Sequence, residues 1–149
     1  MKDEYLYVDY EAYGVGIEID EIKQLFSAVP GYDENLIRGD NERPDTISYL
    51  SRNGLNIKGV KKGKGSVEDG VEFIRSFKHI YIHHRCKHTL YEFENYSYKK
   101  DKQTNEVLNV IIDKDNHIID SIRYALRDVR KGLTTIYQPS KISVNNLWG

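Results

Sequence analysis

The chain has 149 residues, with 22 Lys and Arg against 23 Asp and Glu and a formal net charge of −1, which excludes a generally basic nucleic-acid coat and leaves only local basic patches. Ile, Val, Leu and Phe make up about a quarter of it, above the roughly one fifth below which chains stay disordered, so a single globular domain over residues 1–149 is expected. One cysteine, Cys86, rules out an internal disulfide and points to a reducing cytoplasm, while no apolar run approaches the roughly 18 residues of a membrane span and the acidic start at Asp3 and Glu4 resembles no signal peptide.

Residues 5–10 are rich in aromatic and β-branched side chains and are closed by Gly14 and Gly16, which predicts a strand and a turn. Between residues 19 and 29, Ile19, Ile22, Leu25, Phe26 and Val29 recur at helical spacing until Pro30-Gly31 ends the pattern. A short strand, Leu36-Ile37-Arg38-Gly39, then delivers Asp40 to its carboxyl end, and a helix opens at Pro44 and closes at Gly54. Residues 55–60 predict another strand and residues 66–77 a helix, with Ser66 and Asp69 spaced as a capping box. A strand over residues 79–83 and a helix over 89–96 continue the alternation. A polar hairpin or loop over 98–106, a strand over 107–112 and a helix over 116–129 complete it. Repeated alternation of this kind predicts one α/β sheet flanked by helices.

Asp40 stands where open α/β sheets present reactive groups, although a turn Asp also serves nearby backbone amides, so position alone leaves both roles open. His117 and Asp120 lie three residues apart on one helix face, within reach of a shared ion; Asp113 and Asp115 add carboxylates just upstream. Hard ions such as Mg²⁺ need carboxylate oxygens, and two-metal phosphodiester cleavage needs acids converging from different elements. The run Lys61-Lys62-Gly63-Lys64-Gly65 is not a P-loop, because Gly59 leaves three residues instead of four before Gly63-Lys64 and Gly65 replaces the Ser/Thr. It fits a loop touching a nucleic-acid backbone, or equally a solvated turn. The cluster from His83 to His88 matches no common zinc spacing.

Taken together, four segments resemble the C-terminal nuclease domain of phage terminase large subunits, the DNA-packaging motors of tailed phages and prophages. They are Asp9-Tyr10-Glu11-Ala12-Tyr13-Gly14, Gly39-Asp40 with Arg43-Pro44-Asp45-Thr46-Ile47 and Leu50, the stretch from Lys61 to Gly70, and His117-Ile118-Ile119-Asp120-Ser121-Ile122-Arg123-Tyr124. The resemblance covers most of the chain and implies an RNase H-like mixed sheet flanked by helices, with metal-dependent endonuclease cleavage of concatemeric double-stranded DNA. It implies Asp40, His117 and Asp120 as catalytic metal ligands for Mg²⁺ or Mn²⁺, two ions in the intact domain, and Lys61, Lys62 and Lys64 as DNA contacts. It further implies a terminase small subunit and a portal protein as partners in the cytoplasm of a bacterial host, and no membrane.

Against the family pattern, the expectation is an N-terminally truncated domain that begins at the third strand, without the first catalytic Asp. The expectation is that residues 5–10 pair directly with a remaining strand, or that an exposed sheet edge recruits a second chain. Two alternatives follow: a catalytically inactive terminase fragment that binds DNA or packaging partners, and another RNase H-like nuclease of the resolvase or transposase type. The tail over residues 132–149 carries no assigned role.

Overall fold

The computed structural model describes residues 5–96, 98–100, 102–104, 106–111 and 116–130. Asp113, Asp115 and the tail from 132 to 149 fall outside the described residues. In chain order the elements are β1 (Tyr5–Val8), a 3-10 turn (Ile19–Glu21) running into α1 (Ile22–Phe26), β2 (Ile37–Asp40), α2 (Pro44–Arg52), β3 (Ile57–Val60), α3 (Ser66–Arg75) and β4 (His79–Ile82). Then come α4 (Lys87–Asn95), β5 (Tyr98–Lys100), β6 (Val107–Ile111), α5 (His117–Ala125) and α6 (Arg127–Arg130).

Backbone hydrogen bonds sort the described strands into three pairs. β1 runs parallel to β4 with Tyr5 opposite His79 and Val8 opposite Ile82; β2 runs parallel to β3 with Asp40 opposite Val60; β5 and β6 are antiparallel. The β1 strand therefore pairs directly with another strand of its own chain, the first of the two expectations for it. Parallel pairing requires crossovers, and the alternating helices supply them.

Three elements differ from their sequence expectations, each for a local reason. The helix expected over 19–29 stops at Phe26, where the Ser27 hydroxyl donates to the Gln24 carbonyl at 2.5 Å and the Ser27 N–H is shared between the Lys23 and Gln24 carbonyls. The Ser66–Asp69 capping box does not form: the N-cap is Gly65 at φ 75°, a left-handed conformation that glycine adopts without strain, and the Asp69 N–H goes to the Gly65 carbonyl at 3.0 Å. The long helix expected over 116–129 is two helices, joined at the buried Leu126.

Two apolar clusters hold these layers. Ile74, Phe77, Ile119 and Leu126 form one, joining α3 to α5 with Leu6, Phe73, Ile80 and Phe93 around them. Leu50, Leu55 and Ile57 form the other, beneath α2 and β3 with Ile37 and Ile47. Burial of this kind stabilises by about 25 cal/mol per Å² of apolar surface, so each cluster fixes the helix that covers it. α5 lies directly against β2, and that packing brings the carboxyl end of a strand to the face of a helix. No helix among the described residues is long and apolar enough to cross a membrane.

Candidate active site

Asp40 is the last residue of β2, and β2 ends there because Asn41 and Glu42 turn the chain before Pro44 starts α2. Its Oδ1 accepts the Glu42 N–H at 2.9 Å, the short-range bond that Asp makes in turns. Its Oδ2 is 2.9 Å from the Lys62 ammonium and accepts the Tyr124 hydroxyl at 3.3 Å. Burial raises the Asp40 carboxyl, but Lys62, the Glu42 N–H and Tyr124 outweigh it and hold the group below its ordinary range. The Lys62 ammonium is held above its own range, chiefly by its bond to Asp40.

Tyr124 comes from α5, four residues after Asp120 and on the same face. Burial raises its phenol, and the charges of Asp40 and Asp120 raise it further. The helix of Asp120 is thus docked on the strand of Asp40, although 80 positions separate the two acids. The Arg123 guanidinium orients Asp120 with a 2.6 Å bond to Oδ1. The side chains of Asp40 and Asp120 stay 36% and 29% exposed, so both carboxylates remain reachable from solvent.

His117, in the first turn of α5, is exposed, and its charge acts on Glu92 of α4. Among the described residues, no three or more His, Cys, Asp or Glu side chains are grouped to hold a metal ion. The structure therefore brings Asp40 to the α5 face, while Asp40, His117 and Asp120 do not form a gathered donor set. As solvent-reachable oxygen donors, Asp40 in a cleft and Asp120 on α5, the two carboxylates suit a hard divalent cation. Their present partners, Lys62 and Arg123, are side-chain cations.

Lys62 lines one cleft with Asp40, Asn41 and Glu42, and a second with Lys61 and Lys64. The lysine run is thus placed beside the acid, with Lys62 engaged by Asp40 and Glu42 and not simply solvated.

Two residues not singled out as site-forming position this assembly. Glu11, from the loop after β1, accepts the backbone N–H groups of His88 and Thr89 at 2.9 and 2.8 Å, the Thr89 hydroxyl at 2.8 Å and a contact from His88 Nδ1 at 3.2 Å. It caps α4 from a distant element. Burial raises Glu11, yet these bonds lower it overall. Glu92, buried on α4, accepts the Ile118 N–H at 2.7 and 2.9 Å and so caps α5; burial dominates there and raises its carboxyl. Glu92 gave no signal of this in the sequence, since its helical neighbours His88, Thr89 and Asn95 are polar; its burial comes from α5 packing over it. Arg38 pairs with Asp128 and ties β2 to α6. In the His83 to His88 cluster, the His83 and His84 rings lie 4.1 Å apart at a tilt of 35°, Arg85 lies 4.2 Å over Tyr10, and Cys86 is buried with its thiol pushed up to about 11 by burial.

A family described as the terminase RNase H-like domain matches residues 1–128. The PBSX phage terminase large subunit of Bacillus subtilis (strain 168) is 29% identical over 131 residues, covering 85% of this chain and 29% of that protein. The terminase large subunit of Bacillus phage SPP1 is 37% identical over 110 residues, covering 71% of this chain and 26% of that protein. The chain thus spans less than a third of the length of these curated relatives. A crystal structure of the large terminase nuclease domain from bacteriophage SPP1 with bound Mn superimposes with a TM-score of 0.74 at 30% identity, over 85% of this chain and 72% of that one.

Proposed function

From the premise that this chain belongs to the terminase RNase H-like domain family, we propose that it acts as a divalent-metal-dependent endonuclease on double-stranded DNA during phage DNA packaging. The observation that carries this reading is the Tyr124 bridge, which seats Asp40 at the end of β2 against the helix face of Asp120, beside a lysine-rich cleft. The family match favours a terminase over a resolvase or transposase. A terminase small subunit and a portal protein are the partners this reading implies.

Asp40 and Asp120, with His117 one turn before Asp120, are the residues that would hold Mg²⁺ or Mn²⁺, which when bound supplies Lewis-acid activation of water and neutralises charge at the departing oxygen. This chain's own contribution is orientation. Glu42 and Tyr124 fix the two oxygens of Asp40, Arg123 fixes Asp120, and Lys61, Lys62 and Lys64, which line the adjoining cleft, would meet the phosphate backbone. The test is cleavage of plasmid and linear duplex DNA by the purified chain with Mn²⁺ or Mg²⁺, against EDTA. Cation-dependent cutting that Asp40→Asn eliminates supports the reading; DNA cutting that persists in Asp40→Asn contradicts it.

A second reading is a silent fragment that binds DNA without cutting it. The ungathered donor set favours it, since Asp40 and Asp120 are both ion-paired to cations of the chain. Under that reading no cation produces cleavage, and salt-sensitive DNA binding falls when Lys61, Lys62 and Lys64 are replaced.

A further inference from the structure

A cleft of about 330 Å³ opens between the lysine-glycine loop with the start of α3 on one side and α5–α6 on the other. Among the described residues, six cationic side chains line it, Lys61, Lys62, Lys64, Arg123, Arg127 and Arg130, against the single acid Asp69. Lys62 answers Asp40 and Arg123 answers Asp120, while among the described residues no acid is ion-paired with Lys61, Lys64, Arg127 or Arg130.

Arg123 forms the inner wall. It is 9% exposed, its Nη2 donates to Asp120, and its Nη1 reaches the Ser66 carbonyl at only 3.4 Å. Its Nε is buried and has no hydrogen-bond partner among the described residues. A guanidinium brings five donors and stays charged, so Arg123 keeps a cation in the cleft lining that Asp120 answers on one side only. Gly70 makes the seat possible, because a Cβ there would stand 2.7 Å from Arg123 Cδ.

The cleft adjoins the one beside Asp40: both are lined by Val60, Lys61 and Lys62. Tyr124 lines the basic cleft while its hydroxyl bonds Asp40. A polyanion passing Asp40 is therefore led over Lys62 into a concentrated positive field.

We propose that this cleft seats backbone phosphates of the nucleic-acid strand that passes Asp40, with Arg127 and Arg130 forming the wall opposite Lys61 and Lys64 and Arg123 charging its floor. This rests on the DNA-processing reading above and extends it, by adding the arginine wall and the path of the strand.

The experiment measures binding of a short fluorescein-labelled duplex in EDTA across KCl concentrations, which removes cleavage from the readout. The variants are Arg127→Gln/Arg130→Gln, its charge-retaining counterpart Arg127→Lys/Arg130→Lys, and Lys58→Gln/Lys87→Gln, an equal charge loss at exposed positions outside the cleft. Each phosphate contact contributes about 0.9 to the slope of log affinity against log salt, so the Arg→Gln pair is expected to reduce that slope by about 2. At about 0.1 M salt its affinity falls by roughly tenfold. The Lys pair keeps the slope, and the distant pair changes it by less than about half a unit. Should circular dichroism show the Gln pair unfolded, Arg130→Gln alone carries the test with a slope change of about 1. Equal slopes in the Arg→Gln and distant pairs would overturn the cleft and leave the DNA-processing reading standing. Failure of the unaltered chain to bind duplex at all would overturn that reading itself.

Discussion

Glu11 and Glu92 bind backbone N–H groups at the starts of α4 and α5, whereas Asp40 and Asp120 each give an oxygen to a side-chain cation, Lys62 and Arg123, and Asp40 takes only the turn N–H of Glu42 from the backbone. The first pair cannot release its partners without undoing a helix start, because those N–H groups have no other acceptor within the helix. The second pair can. A lysine ammonium swings on four methylenes, and a carboxylate that leaves it for a cation breaks no element of the fold. The same functional group thus serves as a fixed joint where its donors begin a helix and as an exchangeable ligand where the oxygen is held by a side-chain cation, the Glu42 N–H keeping only the other oxygen of Asp40. The joints run in series: Glu11 sets α4, Glu92 on α4 sets α5, and α5 carries Asp120 and Tyr124 to Asp40.

The contrast is sharpest under substitution. Asp40→Asn is expected to lower cation-dependent DNA cleavage on the order of 10³-fold, since a neutral amide holds a divalent cation poorly. The thermal midpoint should move by less than that of any joint variant. A variant that keeps cutting, or that unfolds, would place Asp40 among the joints. Glu11→Ala removes the acceptor for the Thr89 hydroxyl and two backbone N–H groups at the start of α4. A loss of about 2–3 kcal/mol is expected, seen as a fall of roughly 5–10 °C in Tm by circular dichroism. An unchanged Tm would show that α4 needs no cap from outside.

The smallest effect separates the two joints by pH. Glu11 is lowered from its ordinary 4.5, so its stabilisation is complete above that value and is lost as pH falls through the lowered one. Glu92 is raised from 4.5, so its contribution is complete below that value and shrinks as pH rises through the raised one. Urea midpoints between about pH 4 and 7 should therefore decline less with rising pH in Glu92→Gln than in the unaltered chain, because the variant has no proton to release there. Parallel profiles would assign that slope to other groups.

Much of this was legible in the order of residues. Pro44 opens α2, Gly54 closes it at φ 94°, and the strand before Asp40 sits where alternation placed it. Which strand β1 pairs with and the caps by Glu11 and Glu92 were not legible, because these contacts join positions 74, 77 and 26 residues apart and no local spacing encodes them. The start of α3 was misjudged because Ser66 and Asp69 carry the capping chemistry one residue inside a helix that Gly65 begins. At the site, Asp40, His117 and Asp120 were chosen for their chemistry, whereas Tyr124 and Arg123, which bind the two acids, look like ordinary helix residues in sequence. Arg123 lies one turn from Asp120, a spacing present in the sequence, whereas the role of Tyr124 depends on how α5 lies against β2, which only packing decides.

The central claim is that Asp40 and Asp120 serve one divalent cation. Calorimetric titration of Mn²⁺ into the unaltered chain, Asp40→Asn and Asp120→Asn tests it without reference to DNA. The account predicts saturable binding that either substitution weakens by about tenfold or more, as expected when a carboxylate is removed from a small oxygen donor set. Identical binding by all three proteins would contradict it.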